Sequence, residues 1–131
     1  VTQVAAEHLV RSGKDMSNPG SVGTLGMLLE TSEMGATVDL RKIPTPAGET
    51  DLIRWLEAYQ GCGFVFTADP ANSARVIELF RACGCTGAVV GKVDNTRQLK
   101  LVLDGETGTL FDFEHDIITG CRPKQHAGKS A

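Results

Sequence analysis

Residues 13–40 read GKDMSNPGSVGTLGMLLETSEMGATVDL, and their pattern decides the fold. Asn18 before Pro19 offers a helix N-cap followed by proline at the first helical position. Val22, Leu25, Leu28 and Leu29 then recur at helical spacing, and Gly35 is a residue able to take the left-handed turn that ends a helix. Ala36-Thr37-Val38-Asp39-Leu40 follows with the alternation of a strand. A helix passing directly into a strand is the working unit of an α/β domain.

Upstream, residues 1–12 place Val1, Val4, Ala5, His8 and Leu9 near one face, which predicts a short amphipathic helix stopped by Gly13. Lys14 to Gly20 is then a polar loop. Downstream, Lys42 to Thr50 carries Pro44, Pro46 and Gly48 and predicts a connector. Thr50 caps a predicted helix over 51–59, with Leu52, Trp55 and Leu56 on one side. Gly63 to Ala68 predicts a strand. Asp69-Pro70 opens a helix over 71–83 that turns Val76, Ile77 and Phe80 inward and stops at Gly84. Thr86 to Val93 predicts the next strand, and this strand–helix–strand unit predicts a right-handed crossover with parallel strands. Leu99–Leu103 and Thr107–Phe111 flank Asp104-Gly105, a hairpin signal. Residues 119–131 lack an apolar pattern and read as a tail, leaving 1–118 as one α/β domain, its helices packed in two or three layers on a mixed sheet.

Composition narrows the function. The chain has 131 residues and a formal charge of −3, with 41% hydrophobic and 22% charged residues, ordinary for a globular protein. No apolar run approaches the roughly 20 residues that cross a bilayer. No basic run would neutralise a nucleic-acid backbone, and seven aromatics offer few stacking surfaces. The expectation is therefore a protein without membrane or nucleic-acid partners. Four cysteines are too few for a disulfide scaffold, so a reducing cytoplasmic setting is the simpler reading. The chain opens on Val1, which suggests a domain cut from a longer protein.

Chemistry concentrates between Lys14 and Gly23. A helix start presents unpaired N–H groups and partial positive charge. Gly20 and Gly23 lack a β-carbon, Ser17 and Asn18 add hydrogen-bonding side chains, and Lys14 adds charge, a combination suited to an oxyanion. Asp15 is placed to hold a Mg²⁺ bridging to phosphate. The same residues also describe a capped turn in which glycines allow close packing, and spacing alone leaves both readings open. Elsewhere, Cys83-Gly84-Cys85 lacks the paired CxxC spacing of a zinc site; it reads as small packed residues, with a redox or zinc role as the other possibility. His8, near the loop, reads as a partly exposed packing residue or as one within reach of a phosphate, His115 as part of a solvated turn, and His126 as tail.

Residues 13–40 and the following Ile43-Pro44 resemble the opening of the C-terminal domain in the aminoimidazole ribonucleotide synthetase (PurM) superfamily. That superfamily includes selenophosphate synthetase, thiamine-monophosphate kinase, the hydrogenase-maturation protein HypE and formylglycinamidine ribonucleotide synthetase. Asp15-Met16-Ser17, Gly20, the Thr24–Met34 helix and Met34-Gly35-Ala36-Thr37-Val38-Asp39-Leu40 carry the likeness. Gly61-Cys62-Gly63-Phe64-Val65-Phe66-Thr67 and the crossover Asp69–Val93 extend it over about residues 8–105. The turn Ser17-Asn18-Pro19-Gly20 matches neither the Thr-Gly-Phe-Gly of selenophosphate synthetase nor the Ser-Asp-Gly of the thiamine kinase. The chain is most similar to aminoimidazole ribonucleotide synthetase-related proteins.

The resemblance implies a partly ferredoxin-like mixed sheet and an ATP-dependent parent enzyme using Mg²⁺. It also implies an N-terminal ATP-binding domain as partner, a phosphorylated small molecule or nucleotide as ligand, and a possible homodimer. The residues at Asp15–Gly20 would then be half of an active-site cleft, inactive alone. The other expectation is a stand-alone, non-catalytic binding or dimerisation module of the same fold.

Overall fold

The computed structural model describes residues 1–49, 51–58 and 62–121. In chain order it contains α1 (Thr2–Ala6), β1 (Ser12–Asp15), α2 (Gly20–Ser32), β2 (Gly35–Asp39), a 3-10 turn (Leu40–Lys42), α3 (Leu52–Glu57), β3 (Phe64–Thr67), α4 (Pro70–Ala82), β4 (Gly91–Asp94), β5 (Gln98–Leu103) and β6 (Glu106–Asp112). Two sheets result. One is a ribbon of β1 and β3; the other has four strands in the order β4-β2-β5-β6. Among the described residues no helix is long and apolar enough to cross a membrane.

The four-stranded sheet is mixed, as expected. β2 pairs parallel with β5, Ala36 opposite Leu99, while β4 and β6 add antiparallel edges. Ala36, Val38 and Leu99 point to one face, where Leu25 and Leu29 of α2 meet them together with Leu40, Ile43 and Phe113. The helical spacing of Leu25 and Leu29 thus fills the face that strand alternation presents. β5 and β6 form the expected hairpin. Asp104 and Gly105 both take positive φ, 50° and 89°, as a two-residue turn between twisted strands requires. Arg41 clamps its tip, with Nη2 at 2.7 Å from the Asp104 carboxylate.

Several expectations are corrected. Residues 1–12 are not one helix: α1 stops at Ala6, and His8 at φ 52° redirects the chain into β1. Ser12–Asp15 has no apolar alternation, yet it is a strand because β3 supplies a partner, with Gly13 opposite Phe66. That pairing also removes the expected parallel crossover. β3 lies in the ribbon and β4 in the other sheet, so α4 carries the chain between sheets. Residues 86–90, expected in a strand, are irregular, and β4 begins at Gly91.

The helix boundaries shift as well. α2 starts at Gly20 with no side-chain cap; the Gly20 N–H closes a turn onto the Ser17 carbonyl at 2.9 Å, leaving Asn18 exposed. Its left-handed end is Glu33 at φ 54°, and Gly35 already belongs to β2, pressed against Thr96 and Asp94. Thr50 and Tyr59 lie outside the described residues; Asp51 caps α3, its carboxylate accepting from the Arg54 N–H at 3.0 Å. Leu52 and Leu56 of α3 reach the core, and the Trp55 indole donates to the Pro44 carbonyl at 3.2 Å. Of the stretch read as a tail, Thr119 and Gly120 are bonded to Glu30, and residues 122–131 lie outside the described residues.

α4 ends as its sequence implies. Gly84 at φ 78° turns the chain, its N–H bonding to the Arg81 carbonyl at 2.9 Å while the Cys85 N–H reaches the Phe80 carbonyl at 3.0 Å. This is the six-residue closure that satisfies the last helical carbonyls. A β-carbon at Gly84 would meet nothing within 4 Å, so Gly84→Ala tests backbone strain alone. It should lower stability by about 1 kcal/mol in a urea titration; no change would mean that the helix end rearranges freely.

Candidate functional site

β1 and β3 bring charge and aromatic surface to one place. Asp15 sits opposite Phe64, and Gly13 lies beneath the Phe66 ring. Phe64 and Phe66 stack at 5.7 Å, and Phe80 of α4 tilts against both at 6.1 and 5.6 Å. Phe64 remains 41% exposed. Beside this cluster runs an open groove of about 790 Å³, whose lining includes Lys14, Asp15, Met27, Leu28, Phe64 and Phe66. The Lys14 ammonium lies 3.6 Å from the Asp15 carboxylate, which is largely in solvent. The groove therefore has an apolar floor with a charged pair at its rim.

The loop after β1 is held by its own backbone. The Met16 N–H bonds to the Gly63 carbonyl at 2.9 Å, and the Met16 side chain lies against Gly63. The Ser17 N–H donates to the buried Thr24 hydroxyl at 3.1 Å. Gly23 has no space for a β-carbon because Pro19 occupies it. Of the six residues singled out by sequence, the structure brings Lys14 and Asp15 to the groove. Ser17 and Asn18 sit on the turn behind them and Gly20 and Gly23 in the first turn of α2, with the Ser17 and Gly20 amides already engaged.

A heavily bonded side chain is one that sequence reading missed. Glu30, on the inner side of α2 and 6% exposed, accepts from the Ile118, Thr119 and Gly120 amides at 3.0, 2.8 and 3.2 Å. The Thr119 hydroxyl adds a bond of 2.6 Å. Burial alone would raise the Glu30 pKa, but the Thr119 hydroxyl and the three amides outweigh it and hold the carboxyl below its ordinary value. This strap carries Thr119 and Cys121 to the groove wall. An acidic residue four positions after Gly26, within an apolar helix stripe, was the available signal.

The other sequence candidates are peripheral. His8 is exposed beyond α1 and does not line the groove. His115 is exposed in a turn, its N–H bonding to the Asp112 carbonyl at 2.9 Å. His126 lies outside the described residues. Cys83 and Cys85, expected to be packed, are both exposed. They lie at the closing turn of α4, where neither side chain reaches the core.

The family model described as AIR synthase related protein, C-terminal domain, matches residues 1–104. The chain belongs to this family. An uncharacterized protein of Methanocaldococcus jannaschii is 44% identical to this AIR synthase related domain over 122 residues, 92% of the chain and 37% of the relative. An uncharacterized protein of Synechocystis is 34% identical over 117 residues, 89% of the chain and 36% of the relative. The domain thus spans little more than a third of the curated relatives it matches.

Solved structures agree on the fold. Thermotoga maritima phosphoribosylformylglycinamidine synthase II superposes with a TM-score of 0.73 at 19% identity, covering 88% of this chain and 21% of the other. The Thermotoga maritima PurL complex with ATP gives 0.70 at 22% identity, with the same coverage. The AIR synthase related domain therefore has the mixed α/β fold expected from its sequence. The aromatic groove wall was foreshadowed by Phe64-Val65-Phe66, whose alternation puts both rings on one face of a strand.

Proposed function

We propose that the domain forms one wall of a nucleotide-phosphate cleft in a longer ATP-dependent enzyme, completed by an N-terminal ATP-binding domain. The observation that carries this reading is the groove at the end of β1, where Lys14 and Asp15 stand at the rim of an exposed apolar floor. Such a floor favours cover by further protein, and this chain spans little more than a third of the relatives it matches. ATP binding in the parent is supported by the Thermotoga maritima PurL structures, which are complexes with AMPPCP, ADP and ATP.

In this reading Lys14 contributes a charge-assisted contact to phosphate, aided by the Ser17 hydroxyl and the exposed Asn18 amide. Gly20 and Gly23 set the tight turn that presents them. Among the described residues no three acidic, histidine or cysteine side chains gather to hold a metal. Asp15 is therefore suited to donate one oxygen to a Mg²⁺ whose remaining ligands are phosphate oxygens, waters and groups of the other domain.

The test is phosphate release from ATP by the isolated 131 residues and by the full-length protein. The isolated chain should be silent. In the full-length protein, Lys14→Ala should lower kcat/KM by about tenfold to a hundredfold, the value of one charge-assisted hydrogen bond. Turnover by the isolated chain, or an unaffected Lys14→Ala enzyme, would refute the shared cleft. The apolar groove also suits a stand-alone dimerisation module, a reading that predicts a dimer on gel filtration and loss of that dimer in Phe64→Asp.

A further inference from the structure

We infer that Cys83 and Cys85 form a reversible dithiol–disulfide pair that reacts with low-molecular-weight disulfides. Cysteine is among the residue types most often buried, and burial is what keeps a structural thiol inert. Both of these are exposed. They flank Gly84 at φ 78° in the turn that closes α4, a turn fixed by the Cys85 N–H to Phe80 carbonyl bond at 3.0 Å. The Cys85 sulfur lies 3.9 Å from the Cys83 carbonyl oxygen, so it is folded back over its partner's backbone.

Two peptide steps of about 3.8 Å, bent through this turn, bring the Cα atoms within the roughly 4.4–6.8 Å span that a disulfide bridges. Among the described residues no third ligand stands near enough to complete a metal site, which favours sulfur–sulfur chemistry over zinc.

The reaction balances in two exchanges. One cysteine thiolate attacks a sulfur of the small disulfide, forming a mixed disulfide and expelling one small thiolate. The second cysteine thiolate attacks the protein sulfur of that mixed disulfide, closes the ring and expels the second small thiolate. Two electrons pass from the protein to the small disulfide, and the two cysteine protons end on the released thiols. A ring closed over a single intervening residue is strained, so the pair is more easily reduced than a structural disulfide.

The whole chain is equilibrated in glutathione buffers of graded potential, alkylated and cut with trypsin. Cleavage after Arg81 and Lys92 frees residues 82–92, which carry both cysteines and neither Cys62 nor Cys121. This peptide should lose two hydrogens and both alkyl labels together, with one midpoint, and Cys83→Ser should instead carry a single glutathione on Cys85. The inference is overturned if both thiols stay alkylated in the most oxidising buffer. It is equally overturned if each carries its own glutathione, or if either joins Cys62 or Cys121.

Discussion

Glu30→Ala is expected to destabilise the AIR synthase related domain by about 3 kcal/mol, since hydrogen bonds to a charged group contribute about 1.5–3 kcal/mol each and rehydration of the freed amides returns part of that. Four donors from Ile118, Thr119 and Gly120 converge on this carboxylate. The variant leaves them without their acceptor. Glu30→Gln should fall between, because its amide NH₂ offers a donor where a donor is already pointing. Urea unfolding gives the free energy, and hydrogen exchange at the three amides locates it. A loss below about 1 kcal/mol, with the amides still protected, would show that the strap is held by something else.

The same group fixes a pH dependence. The folded-state pKa of Glu30 is lowered relative to the unfolded chain. Its contribution is therefore complete above the ordinary glutamate range and disappears as pH falls through the lowered value. Wild-type stability should drop across that acidic window, and Glu30→Gln should flatten the drop. An identical acid profile in both proteins would assign the transition to other carboxylates.

Leu99→Ala carries the second large effect. Leu99 is fully buried on β5, between Ala36 of β2 and Phe111 of β6. Truncation removes contacts on both sides and leaves a cavity that two hydrogen-bonded neighbours cannot close, at about 2–5 kcal/mol. Leu110→Ala serves as control: this side chain is 45% exposed, and the change should stay within about 0.5 kcal/mol. Equal effects at the two positions would mean that the sheet is not oriented as described.

The sequence made the four-stranded sheet legible wherever an element's pattern matched its own burial. Leu25 and Leu29 on α2, the alternation of β2 and the Asp104-Gly105 turn each signal their structure locally. β1 was illegible because Ser12-Gly13-Lys14-Asp15 becomes a strand only through its partner β3. The expected crossover failed for the same reason, since sheet membership is settled by non-local pairing that no window of sequence contains. In the candidate site, Lys14 and Asp15 were visible as charges. Thr24 and Glu30 were not, because a buried polar side chain is explained only by the groups it meets.

The pairing of Ala36 with Leu99 has a consequence during synthesis. At about 5–20 residues per second, the ribosome leaves β2 waiting several seconds for its neighbour. Over that interval the unpaired backbone edge of β2 is open to whatever strand arrives first. β4 emerges just before β5 and pairs with β2 on the opposite edge, so it is placed to shield one side of the nascent sheet while the other remains to be filled.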